Sequence, residues 1–410
     1  MNLAQDSKHR PPACSLHVRD DASTGILLPP TAPGCKHSAS VAPSALPWIP
    51  HPPLQAPTRA SACLHETRMN TRTAPAWSPE LEARYAPLAA QLERLIPCME
   101  VPLHLPWIDA INALKKERGA VIMAHNYQSP EIFYGVADIT GDSLLLAQKA
   151  ATCGSDLVVM CGVHFMAESV KVLAPDKTVL IPDMEAGCSL ASSITAADVL
   201  ALRAQHPGIP VVTYVNTSAA VKAVSDSCCT SANAVQVVES VAAEHGVKQV
   251  IFLPDRYLGA WVAQQTQLDL ILWQGACEVH ERFTGIEARH AREQFDAKIV
   301  AHPECPPDVL AEADFVGSTT AMGKWLEKAK PERVAMITEC SMADNLRNEF
   351  PQVEFIKPCN LCPYMKKITL PKIHAVLSDL SNEVVVAPED IVGARRSLDR
   401  MLAVGRRDRV

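Results

Sequence analysis

A chain of 410 residues is long enough for two or three domains, and 48% hydrophobic with 20% charged residues is the composition of an enzyme-sized globular protein rather than a disordered or fibrous one. A net charge of −7 and a pI near 6.1, without a basic stripe, argue against a nucleic-acid partner, and no apolar run approaches the roughly 18 residues of a membrane span. The 14 cysteines come without the short chain and secretory leader of a disulfide scaffold, so reduced thiols in a cytoplasmic protein are the expectation.

Residues 1–77 hold 12 of the 32 prolines, a density that removes amide donors and blocks regular structure, so this stretch reads as a disordered Pro-rich extension. Its seven Lys/Arg and four Asp/Glu lack the apolar segment of a targeting peptide, and Met69 is a candidate start. The run SPELEARYAPLAAQLERLI opens an N-terminal helical segment over 78–118. From residue 119 short β-branched runs alternate with helical stretches, the pattern of parallel sheets covered by helices.

That pattern repeats. GAVIMAHNY, PVVTYVN and AKIVAHPE are apolar strands that stop at polar triplets carrying His125, Tyr214 and His302. Later runs stop at Cys188, Cys277 and Cys362, which follow those residues by 63, 63 and 60 positions. The spacing predicts three α/β units, at 119–195, 196–285 and 286–375, and a C-terminal helical segment over 376–410 that packs back on the core. The middle strands are expected in DLVVMCGVHF, QVIFLPDRYLG and DFVGSTTAMG.

Ligands of parallel α/β units bind outside the carboxyl ends of the strands, so three units about a common axis would bring one cysteine from each to a point. Structural zinc favours four ligands in close pairs, whereas one thiolate per unit suits a 4Fe-4S cube with one iron open to substrate. Cys161, Cys228, Cys229, Cys305 and Cys340 have no counterparts in all three units and are read as non-ligands, with Cys359 free to form a disulfide. Read this far, the residues leave open an iron–sulfur sensor without turnover and an aconitase-like hydro-lyase.

The hydroxyls of Ser143, Ser231 and Thr319 fall near expected helix starts, where backbone N–H groups also face anions. His125, Tyr214, Asn216 and His302 are candidates for binding carboxylate or phosphate, and Asp142 for orienting its neighbours.

The chain resembles the quinolinate synthase A family through AHNYQ (124–128), GDSLLLA (141–147), GVHFMAES (162–169), AGCSLA (186–191), YVNTSAAVKA (214–223), CTSANAV (229–235), WQGACEVHERF (273–283), HPEC (302–305), VGSTTAM (316–322) and CPYMKKITL (362–370). The resemblance implies three α/β/α three-layer domains with parallel sheets around a pseudo-threefold axis, and one 4Fe-4S cluster per chain at their junction, held by Cys188, Cys277 and Cys362. It implies condensation of iminoaspartate with dihydroxyacetone phosphate to quinolinate for NAD biosynthesis, with iminoaspartate supplied by an L-aspartate oxidase or dehydrogenase. Substrate binding then falls to His125, Ser143, Tyr214, Val215, Asn216, Ser231, His302, Pro303, Glu304 and Thr319. By the same resemblance Tyr127 assists isomerisation and phosphate loss and Glu304 is a base in later steps, with His125 and His302 beside them in catalysis. Tyr257, where Asn or His is expected, and TTAM in place of TS are departures that would alter the pocket wall.

A chain beginning at Met69 is expected to keep the melting temperature and kcat of the full chain, because a Pro-rich segment contributes little packed apolar surface. Thermal denaturation and turnover of the two side by side check this, and a large loss of either would place residues 1–68 in the fold.

Overall fold

The computed structural model describes residues 75–407. The expectation for residues 1–77 therefore lies, apart from its last three positions, outside the described residues. Ser78 opens the first helix, Pro79–Arg84, its side chain accepting from the Leu81 N–H at 3.2 Å. The long helix Val101–Arg118 ends on Gly119, whose φ of +62° is the left-handed stop that glycine supplies without strain, and the chain turns directly into the first strand.

Among the described residues twelve strands form three four-stranded sheets, with every strand pair in them parallel. The first holds β1 (Ala120–His125), β2 (Ile139–Gly141), β3 (Leu157–Cys161) and β4 (Thr178–Leu180) in the order β2-β1-β3-β4. The second repeats that order with β5 (Val211–Tyr214), β6 (Ser227–Cys229), β7 (Gln249–Leu253) and β8 (Asp269–Leu272). The third repeats it with β9 (Lys298–Ala301), β10 (Phe315–Val316), β11 (Arg333–Ile337) and β12 (Glu354–Ile356). The central strands are almost wholly buried, as strands covered on both faces by helices must be, which is why they read as unbroken apolar runs.

The third unit corrects one expectation. The FV of DFV is the short edge strand β10, equivalent to β2 and β6, and the strand equivalent to β3 and β7 is β11, RVAMI. Each sheet has an edge strand of two or three residues, too short and too polar for periodicity to reveal. The helix Leu370–Asp379 also runs across the expected division at 375 and 376.

A carboxylate fixes the same turn three times. Asp138, Asp226 and Asp314 each stand one residue before an edge strand and accept from a backbone N–H at the start of the central strand: Ile122 at 2.8 Å, Val211 at 2.7 Å and Ile299 at 2.8 Å. In return each aspartate's own N–H donates to the carbonyl of that same residue. A cation sits beside each carboxylate, namely Lys115, Arg203, and the pair Arg292 and Lys298. The edge strand is thus registered on the central one by backbone groups at both ends of the crossover.

The last helix, Pro388–Arg407, packs on the second unit: Ser397 Oγ lies 3.3 Å from Cys228 Sγ, and a Cβ on Gly393 would stand 2.4 Å from the Ala223 carbonyl oxygen. Only glycine allows that approach. Among the described residues no helix is long and apolar enough to cross a membrane. Leu398, fully buried on the docking face, is the position to test: Leu398→Ala is expected to cost about 2–5 kcal/mol in chemical denaturation. Arg400→Ala removes a partly exposed ion pair to Glu244 and is expected to cost about 1 kcal/mol or less.

Candidate active site

In each sheet the chain leaves the central strand on one side and returns on the other, so the carboxyl end of β1, β5 or β9 is a switch point where a crevice opens. The polar triplets fall there. His125 and Tyr214 close β1 and β5, and His302 follows β9 by one residue. His125 Nδ1 accepts from the Tyr127 N–H at 3.1 Å, and His302 Nδ1 accepts from the Glu304 N–H at 3.4 Å, the same turn used twice. Burial pushes the two imidazoles down to about 4 and about 3, so both are neutral at pH 7 and carry their proton on Nε2 as a donor.

One cavity collects these groups. His125, Tyr127 and Ser143 reach it from the first unit, Tyr214, Asn216 and Ser231 from the second, and His302, Glu304 and Thr319 from the third. Val215 and Pro303 are not among its lining residues, and Val215 lines a smaller neighbouring cavity that also touches Ser143. Tyr257 is not on its wall either. The ring of Tyr257, second residue of the helix Arg256–Gln265, lies under the Arg256 guanidinium, 4.6 Å from centroid to Cζ, with its hydroxyl on Glu281.

Ser143 and Thr319 are the first residues of their helices, but the caps are their predecessors Asp142 and Ser318, whose side chains accept from Leu145 and Ala321. The other oxygen of Asp142 accepts from Thr320 at 2.6 Å, and Asn126 donates to Thr319 Oγ1 at 2.9 Å, which ties the first and third units beside the cavity.

Glu304 is 3% exposed, and its neighbours decide its charge. Burial pushes its carboxyl up, but His280 and His302 beside it, with hydrogen bonds from His280 and Tyr214, bring it below the usual carboxylate range. With His302 neutral, we attribute that direction chiefly to His280, whose Nδ1 lies 2.7 Å from Glu304 Oε2. Asp255 shows the opposite outcome. Burial and the charge of Glu304 push it well above the carboxylate range, and one of its oxygens has no partner. The phenols of Tyr127 and Tyr214 are likewise driven well above 10, by burial and by Glu304, and hold their protons.

The three cysteines share one local frame. Cys188 precedes the turn Ser189–Ser192, Cys277 the turn His280–Arg282, and Cys362 the turn Met365–Lys367. In each, the N–H four residues on donates to the cysteine carbonyl, from Ser192 at 3.0 Å, Glu281 at 2.9 Å and Lys366 at 3.1 Å. In each, the amides two and three residues on reach the sulfur: Leu190 and Ala191, Val279 and His280, Tyr364 and Met365. Gly275 makes the second frame possible, since a Cβ there would stand 2.6 Å from the Pro254 carbonyl oxygen and from Ser193 Oγ. All three cysteines line the same cavity as the acid–base groups. Burial raises every one of these thiols, with Cys188 at about 12, so a bound cation is needed to hold them as thiolates.

Cys277 Sγ, a nitrogen of His280 and a Glu304 oxygen also lie within 4.8 Å of one another, a group able to hold a metal ion. Their closeness has a simpler cause, because His280 Nδ1 contacts both the sulfur, at 3.2 Å, and the carboxylate. Cys161, Cys228, Cys229 and Cys305 are fully buried away from the cavity lining. The expectation of reduced thiols meets one exception: Cys359 is joined to Cys340 in a disulfide, the two Cα atoms 5.2 Å apart.

Sequence reasoning missed His280, Thr338, Glu339 and Lys366. His280 lies three residues after Cys277 in WQGACEVHERF, a signal present but unused, whereas Thr338 and Glu339 follow β11, the strand that was misplaced.

Parallel sheets with acid–base groups and thiols gathered at their strand ends define an α/β enzyme. The family described as Quinolinate synthetase A protein matches residues 109–403. Similar proteins include quinolinate synthase 2 of Mesorhizobium japonicum, 57% identical over 77% of this chain and 96% of its own length, and the quinolinate synthase of Agrobacterium fabrum, 55% identical over 78% and 92%. That of Xylella fastidiosa is 56% identical over 72% and 87%. The chain belongs to the quinolinate synthetase A family.

Proposed function

We propose that this enzyme condenses iminoaspartate with dihydroxyacetone phosphate to quinolinate, releasing phosphate and water, in the cytoplasmic synthesis of NAD. The observation that carries the proposal is the thrice-repeated cysteine frame opening on a cavity where neutral donors stand beside the ionised Glu304. The divisions 119–195, 196–285 and 286–375 are taken as three domains about a pseudo-threefold axis, with this cavity at their junction. Cys188, Cys277 and Cys362 would hold one 4Fe-4S cluster, and three ligands fit a cube better than a closed four-ligand zinc site. Bound there, the cluster supplies an open iron that acts as a Lewis acid toward a departing hydroxyl.

The chain's own residues supply the rest. The Nε2 donors of His125 and His302, the hydroxyls of Ser143, Ser231 and Thr319, and Asn216 bind the carboxylates and phosphate of the substrates. Tyr127 keeps its proton at neutral pH and moves it at the phenol oxygen as the triose phosphate isomerises and loses phosphate. Glu304, ionised, takes protons in the later carbon–carbon and dehydration steps, with Tyr214 hydrogen-bonded beside it. Iminoaspartate would come from an aspartate oxidase or dehydrogenase.

Anaerobically prepared protein is expected to hold about four irons per chain. Cys188→Ser, Cys277→Ser and Cys362→Ser should each lose them, while Cys161→Ser and Cys305→Ser keep them. Iron and sulfide determination decides, and a full cluster in Cys277→Ser would remove that assignment.

Tyr127→Phe and Glu304→Gln should keep fold and iron while kcat falls about a hundredfold or more, the scale of a lost general acid–base group. Tyr127→Phe should stall before phosphate release and Glu304→Gln after it. A phosphate assay run beside a quinolinate assay separates them, and near wild-type quinolinate formation by either variant would strike that residue from the mechanism.

A further inference from the structure

The turn that carries Tyr127 is satisfied by two different parts of the chain. Its amides bond within the first unit: the Asn126 N–H donates to the Gly141 carbonyl at 3.0 Å, the Tyr127 N–H to His125 Nδ1 at 3.1 Å and the Gln128 N–H to the His125 carbonyl at 2.9 Å. Its carbonyls do not. Asn345 Nδ2 donates to the Asn126 carbonyl at 3.0 Å and to the Gln128 carbonyl at 2.9 Å, and Lys366 Nζ donates to the Tyr127 carbonyl between them at 2.8 Å. Three consecutive carbonyls of the first unit are thus held by donors of the third.

Both donors are set by one helix, Cys340–Glu349. Ser341 and Asn345 are four residues apart and so share a face of it, and both are buried, at 4% and 3% exposure, where an apolar residue would be the ordinary choice. Ser341 Oγ lies 2.6 Å from Lys366 Nζ and steadies it against Tyr127. Asn345 acts directly, and the tie runs both ways, because its own backbone carbonyl accepts from Tyr134 Oη of the first unit. The orientation of the Asn345 amide follows from its neighbours: carbonyls only accept, so the nitrogen with its two protons faces them.

We propose that Asn345 is a positioning residue, whose one amide grips the backbone on both sides of Tyr127 and so fixes, from the third unit, the place of the proton-moving phenol. This inference rests on the function proposed above for Tyr127. Asn345 is not among the residues lining the cavity, so it acts through the turn and not on substrate. Without its amide two buried carbonyls lose their donor and the turn is free to shift, and small displacements of a reacting group cost rate more than binding.

The test is Asn345→Leu, which keeps the size of the side chain and removes both donors, made in wild type and in Tyr127→Phe. In iron-loaded full chain, Asn345→Leu should lower kcat about tenfold to a hundredfold with KM within about threefold of wild type. In the Tyr127→Phe background the same change should lower the remaining rate less than about threefold, because no phenol is left to misplace. Equal losses in the two backgrounds overturn the proposal and mark a packing role. So does an Asn345→Leu enzyme within about twofold of wild-type kcat.

Hydrogen exchange needs no turnover. The amides of residues 126–128 should exchange about tenfold or more faster in Asn345→Leu, while those of β5 and β9 keep their wild-type rates. Should Asn345→Leu fail to fold, Asn345→Ala, which places no branched side chain against the carbonyls, takes the same measurement. Should the wild type form no quinolinate, the functional reading fails alone, and exchange judges Asn345: unchanged rates at 126–128, or a uniform rise through the chain, overturn the proposal.

Discussion

The contact on which the site depends is the 2.7 Å approach of His280 Nδ1 to Glu304 Oε2, one residue from the second unit and one from the third. A carboxylate this deeply buried loses nearly all its hydration, and without a partner it would take up a proton, as its neighbour Asp255 does. Two carboxyls in one low-dielectric region cannot both ionise cheaply. The donor from His280 decides which of them carries the charge. Burial first, and then the charge of Glu304, hold the phenols of Tyr127 and Tyr214 protonated, so one hydrogen bond between the second and third units reinforces what burial sets around the cavity.

The scaffold repeats while the chemistry does not. Strand order, the aspartate that clamps each edge strand and the amide frame around each cysteine recur three times with little variation. The residues carried at equivalent strand ends differ: His125 with Tyr127, Tyr214 with Asn216, His302 with Glu304. The third strands diverge further, ending in Cys161, running on through Pro254 to Asp255, and running on to Thr338 and Glu339. Repetition supplies three equivalent platforms, and divergence at their rims places a phenol, an amide and a carboxylate around one cavity.

This division explains what the sequence disclosed. Parallel strands buried on both faces must be apolar runs, so three of them stopping at polar triplets were visible, and three cysteines followed at a nearly constant spacing, beyond the partly exposed last strands β4, β8 and β12. The cavity gathers the residues singled out by that spacing and by the family resemblance, apart from Val215 and Pro303, which only the resemblance suggested. Hidden from view were features that depend on pairing. Edge strands of two or three residues carry no period, so DFV was taken for a middle strand and RVAMI went unplaced, and with it Thr338. His280 was passed over because its role comes from contacts with residues 24 and 58 positions away, Glu304 and Thr338, which no local pattern records. The aspartate clamp at 138, 226 and 314 was legible at a spacing of 88 residues, but a lone aspartate before a strand attracts no notice until its backbone partners are seen.

The electrostatics of the cavity bear on the cofactor. No lysine or arginine is among the described residues that line it, although the proposed substrates bring two carboxylates and a phosphate. Lys366, close by, is engaged by Glu339 at 3.0 Å, by Ser341 Oγ and by the carbonyl of Tyr127. The wall adds a charged Glu304 of its own. Neutral imidazoles, hydroxyls and the amides at helix starts offer hydrogen bonds to anions, each individually weaker than a charge-assisted pair with arginine. A site so built meets anions with hydrogen bonds rather than with a charged side chain, and the three thiols in matching amide frames line the same cavity. Neutral imidazoles and phenols suit that task, because a donor that holds its proton in a buried site offers a hydrogen bond without adding charge that the cavity would have to solvate.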